Sequence, residues 1–153
     1  MEESKDDKAS VKQDTNVFKQ MSFEQVGVAP WLCKNLRAVG ISEPTQIQQK
    51  TLLHSLKGRN IIGCAHTGSG KTACFALPIL QKLAKDPYGI FGLVLTPTRE
   101  LAYQIMEQLK VFSAQNINLR VSVITGGVDM MKQAAELKDI PHIIVATPGR
   151  LVH

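Results

Sequence analysis

The residues Ala65-His66-Thr67-Gly68-Ser69-Gly70-Lys71-Thr72 constrain this chain more than any other stretch. They follow the apolar run Ile61-Ile62 and lead into a segment of helical periodicity. A strand that turns through glycines into Lys-Thr and a helix is a phosphate-binding loop. The glycines let successive N–H groups point inward, the lysine supplies a point charge for the β- and γ-phosphates, and the hydroxyl can ligate Mg²⁺. Ala65 stands where the usual pattern begins with glycine, a position that needs only a small side chain. The chain is therefore expected to bind a nucleoside triphosphate through Ala65, Thr67, Gly68, Ser69, Gly70, Lys71 and Thr72. Lys71 and Thr72 lie nearest the chemistry, and Thr72 is the candidate Mg²⁺ ligand.

With 153 residues and 44% hydrophobic content, the chain can bury one ordinary core. No apolar run reaches the length of a membrane span, and the N-terminus lacks the basic-then-apolar layout of a signal peptide. A soluble, intracellular protein without a membrane partner is expected. Cys33, Cys64 and Cys74 show no metal-ligand spacing, and their odd number fits reduced thiols serving as small buried hydrophobes. Residues 1–20 carry five acids against four lysines and almost no large apolar side chains, the composition of a disordered tail. Residues 21–153 then hold 14 Lys+Arg against 8 Asp+Glu. That balance suits a polyanionic partner, although solvated lysines alone would also produce it.

Beyond the tail, helix-like and strand-like segments alternate. Helical periodicity marks residues 30–39, with Leu32, Leu36 and Val39 on one face, and residues 44–56, with Ile47, Leu52 and Leu56 as core candidates. Strand-like runs are expected at 60–63, 92–96, 121–125 and 142–146, separated by helices at 71–84, 99–112 and 130–137. Pro78 should bend or shorten the first of these helices. Apolar strands alternating with helices predict a parallel α/β sheet covered on both faces, with every strand's C-terminal end on one edge.

The residues at that edge are Pro97-Thr98-Arg99-Glu100, Gly126-Gly127 and Thr147-Pro148-Gly149-Arg150, alongside the phosphate loop. Each has an ordinary explanation. Gly126-Gly127 and Pro148-Gly149 suit turns, and Thr98 suits an N-cap with Glu100 in the first helical turn. Gathered on one edge, they offer N–H donors and arginine forks for phosphate oxygens.

These motifs together resemble the DEAD-box ATP-dependent RNA helicases. Residues 65–72 are similar to that family's motif I, Pro97-Thr98-Arg99-Glu100-Leu101-Ala102 to motif Ia, Gly126-Gly127 to its double-glycine element and Thr147-Pro148-Gly149-Arg150 to motif Ib. Gly40-Ile41-Ser42-Glu43-Pro44-Thr45-Gln46-Ile47-Gln48 resembles its Q motif, with Phe23 upstream at the family's interval. The resemblance covers residues 23–153. It implies the N-terminal portion of a RecA-like P-loop domain over 21–153, with ATP and Mg²⁺ as cofactors. Gln48 would read adenine, since an amide can pair both ways with its N6/N7 edge, and Phe23 would stack on the base. Pro97, Thr98, Arg99, Gly127, Thr147, Gly149 and Arg150 would line an RNA path, meeting phosphates and 2′-hydroxyls without regard to base sequence.

The resemblance also sets an expectation about what is missing. Catalysis needs a Mg²⁺-holding aspartate and a water-positioning carboxylate at a strand end, and no strand-like run here ends in one. The family's Asp-Glu-Ala-Asp motif and second RecA-like domain are expected beyond His153, so the chain reads as the front of a helicase and inactive alone. The run Leu77-Pro78-Ile79-Leu80-Gln81-Lys82-Leu83, with Asp86-Pro87-Tyr88-Gly89-Ile90-Phe91 beyond it, resembles a branch that assembles small ribosomal subunits in the nucleolus. That branch implies a nuclear protein on pre-ribosomal particles. Two alternatives stay open: a non-catalytic ATP- or RNA-binding module, and an unrelated P-loop enzyme such as a small-molecule kinase. His66 has no assigned role, and His54 and His142 read as surface or strand-end residues.

Overall fold

The computed structural model describes residues 19–152. The tail assigned to residues 1–20 therefore lies mostly outside the described residues. Its last two residues are held in place: Gln49 Nε2 donates to the Lys19 carbonyl at 2.8 Å, and Gln20 Nε2 donates to the Pro44 carbonyl at 2.9 Å.

The elements in chain order are α1 (Pro30–Ala38), α2 (Gln46–Ser55), α3 (Lys71–Leu83), β1 (Gly92–Leu95), α4 (Arg99–Ser113), β2 (Val121–Ile124), α5 (Met130–Lys138), β3 (Ile143–Ala146) and α6 (Pro148–Leu151). Local chemistry sets several of the boundaries. Pro30 opens α1, where a missing N–H costs nothing, and Gly40 closes the turn after it with φ +81°. Thr45 and Gln48 form a reciprocal capping box that starts α2, a feature worth about 1 kcal/mol. Thr98 caps α4, its hydroxyl accepting from the Leu101 N–H at 3.3 Å. Helix α3 runs through Pro78 to Leu83, so the proline does not shorten it.

The three strands form one parallel sheet in the order β1-β3-β2. Register is strict: Leu95 and Ile124 both lie beside Ala146, so all three C-terminal ends finish level. Alternation along the central strand divides the core. Ile143 and Val145 join Val123 and the buried residues of α1, α3 and α4 in the main cluster, whereas Ile144, Ala146 and Ile124 pack against Leu137 of α5 on the other side.

The expected first strand at 60–63 is not in the sheet. Among the described strands none pairs with it, and a strand without a ladder partner leaves its peptide groups to water. Ile62 is accordingly fully exposed and Ile61 is 40% exposed. Cys64, expected in the core, is exposed for the same reason, because no sheet covers the segment that carries it. The central strand β3 is buried along its whole length, whereas on the edge strand β1 Leu93 and Leu95 are more than half exposed. Val39 also faces solvent, since α1 ends one residue before it. No helix among the described residues is long and apolar enough to cross a membrane.

Candidate functional site

Two sets of residues make up the candidate site. The first surrounds the phosphate loop. Gly68 and Gly70 take φ of +85° and +82°, conformations that L side chains rarely adopt, and so turn the chain from 60–63 into α3. Gly70 is the N-cap of α3, without a side-chain cap and without an acid in the first turn. The positive end of that 13-residue helix is thus left to an anion. Lys71 occupies the loop itself, its Nζ donating to the Ala65 and His66 carbonyls at 2.6 and 2.7 Å. The Ser69 hydroxyl is buried and has no partner among the described residues. An uncapped helix, an orphaned hydroxyl and a lysine bonded to loop carbonyls fit a phosphate-binding cradle. Thr72, half-buried in the first turn of α3, is the hydroxyl placed to meet a bound cation.

The Q-motif residues brace this loop from below. The Thr45 hydroxyl donates to the Ser69 carbonyl at 2.9 Å, and Gln48 Nε2 donates to the Gly70 carbonyl at 3.0 Å. Gln48 Oε1 accepts from the Thr45 N–H at 3.0 Å. Gln48 is 4% exposed, and a Cβ on Gly70 would collide with its Nε2. Its amide retains a second hydrogen and a second lone pair, so partners at both ends do not exhaust it. Phe23 is 2% exposed and sits in the main core cluster. Thr45 was absent from the expected site residues, although the Thr-x-x-Gln spacing of a capping box is visible in the sequence.

Beside the loop lies a mostly apolar crevice of about 570 Å³, floored by Phe75, Pro78 and Ile79 of α3 and flanked by Ile61 and Gly63. Of the expected nucleotide residues it includes only Lys71. Burial raises the Cys74 thiol on its wall above the ordinary range, which keeps that sulfur protonated and inert.

The second set is the strand-end ledge. Pro97, Thr98, Arg99, Thr147, Gly149 and Arg150 line one open concavity of about 550 Å³, together with Glu100, Gly126 and Pro148. Gly127, with φ +75°, lies so close to Arg99 that a Cβ would meet the guanidinium. All seven expected RNA-path residues are therefore brought together. Backbone bonds continue the sheet into the ledge, from the Thr96 N–H to the Ala146 carbonyl at 2.9 Å and from the Thr147 N–H to the Ile124 carbonyl at 3.0 Å. Arg150 is tied down by Nε donating to Gln133 Oε1 at 3.1 Å and by Nη2 donating to the Val128 carbonyl. Gln133 was not foreseen, since a glutamine on a short amphipathic helix carries no sequence signal.

A profile of the DEAD/DEAH box helicases matches residues 45–153, which span both sets. The chain belongs to the DEAD/DEAH box helicase family. Within that family it is 56% identical over 130 residues to ATP-dependent RNA helicase dbp8 of Schizosaccharomyces pombe, covering 85% of the chain and 28% of the relative. It is 54% identical over 129 residues to the probable ATP-dependent RNA helicase DDX49 of Homo sapiens, covering 84% of the chain and 26% of that protein. Among solved structures, the RNA helicase Prp28 of Chaetomium thermophilum bound to ADP superposes with a TM-score of 0.77 at 41% identity, over 87% of this chain and 34% of that one. The chain thus spans under a third of the length of the dbp8 and DDX49 proteins.

Proposed function

We propose that this chain carries the ATP- and RNA-binding loops of an ATP-dependent RNA helicase. The carrying observation is the level finish of β1, β2 and β3, which gathers two arginines and two glycine-bearing turns into one ledge on the same chain as an uncapped phosphate loop. ATP supplies the phosphoryl group whose transfer to water drives such enzymes. This chain's part is binding and orientation. Lys71 would exchange its two carbonyl partners for phosphate oxygens, Gly68 and Gly70 would keep the loop backbone open to them, and Thr72 would hold Mg²⁺. Gln48 offers its spare hydrogen and lone pair to adenine. Phe23, enclosed in the core cluster, presents no open ring face for stacking on the base in this structure. Along the ledge, Arg99 and Arg150 meet phosphates while Thr98, Thr147 and Gly149 approach the sugar edge, a mode indifferent to base identity.

RNA-stimulated phosphate release by the full-length protein tests this reading. Lys71→Ala should reduce it at least a hundredfold, because charge neutralisation supplies much of the catalysis in phosphoryl transfer. Undiminished turnover in that variant would contradict it. The resemblance of residues 77–83 and 86–91 to a nucleolar branch supports a role for the full-length protein on pre-ribosomal particles. Its depletion should then accumulate precursors of the small-subunit rRNA, and normal processing would contradict that assignment.

A second reading, binding without turnover by residues 1–153 alone, rests on the strand ends. Leu95, Ile124 and Ala146 are each followed by threonine, and no described strand ends in a carboxylate.

A further inference from the structure

Helix α5 has one buried residue, and it is polar: Gln133, 4% exposed. Burying an amide is costly unless both of its ends are satisfied. Gln133 uses both on the RNA ledge. Its Nε2 donates to the Thr125 carbonyl at 3.0 Å, at the end of β2, and its Oε1 accepts from Arg150 Nε at 3.1 Å. Arg150 Nη2 reaches the Val128 carbonyl, on the far side of the double glycine. Four points are thus linked: the end of β2, the turn after Gly126-Gly127, α5 and the turn that begins at Thr147. The N-terminus of α5 is itself fixed, the Asp129 carboxylate accepting from the Met131 N–H at 2.8 Å.

We propose that Gln133 is a positioning residue for RNA, holding Arg150 so that its remaining guanidinium edge faces the concavity and locking the two turns into one ledge. Two of the five N–H donors of Arg150 are spent on Gln133 and Val128, and Nη1 is left for a phosphate oxygen. An arginine fixed before RNA arrives loses less rotamer freedom on binding, and two turns tied together present a constant spacing to successive phosphates. This rests on the RNA reading of the ledge and goes beyond it by assigning a residue that does not touch RNA.

The test is a double-mutant cycle in the full-length protein, read as affinity for a fluorescent single-stranded oligouridylate in the presence of a non-hydrolysable ATP analogue. Gln133→Met, close in size but unable to form hydrogen bonds, should weaken RNA binding about three- to tenfold with analogue affinity unchanged. In an Arg150→Met background the same substitution should add less than a twofold loss, because its effect runs through Arg150. Full additivity, or no loss in the single variant, overturns the proposal. Arg99→Ala separates the two layers. If it weakens RNA binding while Gln133→Met does not, the ledge reading stands and the positioning role falls; if neither it nor Arg150→Met weakens binding, both fall. Should Gln133→Met also lose analogue binding, Gln133→Glu decides, since it keeps an acceptor for Arg150. RNA affinity better than that of Arg150→Met supports the role, and a loss equally deep contradicts it.

Discussion

The strand-end ledge and the phosphate loop are held in different ways. The ledge grows from strands hydrogen-bonded on a common register, with Thr96 and Thr147 extending the ladder and Gln133 bracing Arg150. The loop is held on its helical side by α3 and by Thr45 and Gln48 of α2. On its other side it hangs from residues 60–63, which pair with no described strand. Ladder hydrogen bonds fix a backbone from both flanks, whereas a glycine turn on an unpaired segment depends on side-chain contacts to keep its shape. Among the described residues the phosphate site is therefore the less supported of the two.

The glycines should expose this difference most strongly. Gly70 and Gly127 both have positive φ and both would place a Cβ against a neighbouring side chain. The neighbour of Gly70 is Gln48, buried and bonded at both ends, whereas that of Gly127 is the tip of Arg99, which can move aside. Gly70→Ala should weaken ATP-analogue binding at least thirtyfold, combining about 1–3 kcal/mol of backbone strain with the collision. Gly127→Ala should leave analogue binding intact and weaken RNA binding severalfold. Equal effects of the two on their own ligands would erase the distinction.

Hydrogen exchange on residues 1–153 gives the next largest contrast. Amides of Val123 and Val145 should be protected at least a hundredfold more than those of Ile61 and Ile62. Comparable protection would mean that the 60–63 segment finds a partner strand after all. The same polypeptide should show no RNA-stimulated ATP turnover, since no described strand ends in a carboxylate to hold Mg²⁺ or orient water. Turnover that disappears in Lys71→Ala would show that the catalytic set is complete without one.

The smallest expected effect lies at the opposite end of the sheet. His142, 4% exposed, accepts the Arg120 N–H on Nδ1 at 3.2 Å, and its carbonyl accepts from the Phe91 and Gly92 N–H groups. Burial, with a smaller contribution from the Arg120 charge, holds its pKa below the ordinary 6.5, while a hydrogen bond to the Pro87 backbone opposes that shift. A base with a folded pKa below its unfolded value binds protons better when unfolded. Its contribution is complete above pH 6.5 and is lost as pH falls from there through the folded value. The melting temperature should drop over that window, and His142→Gln should flatten the drop. A profile unchanged by the substitution would remove His142 as its source.

Much of this architecture was legible because it is written in local chemistry. The phosphate loop, the helix starts at Pro30 and Thr98 and the three strand-end motifs all depend on residue types whose backbone preferences are strong. Two features were not legible. Residues 60–63 read as a strand because Ile61-Ile62 is apolar, but pairing is a property of neighbours, and no described strand lies beside them. Gln133 was invisible for the converse reason. Nothing in its own segment distinguishes it, and its role appears only when the fold brings Thr125 and Arg150 to its two ends.

Salt dependence of RNA affinity tests the ledge most directly. Dissociation constants for two unrelated single-stranded RNAs, measured with the full-length protein over a range of salt, should give parallel lines on a log–log plot. Arg99→Ala should lower both slopes equally, by about 0.7 for the phosphate contact it removes. A loss confined to one RNA, or slopes untouched by removing Arg99, would contradict backbone binding on this edge.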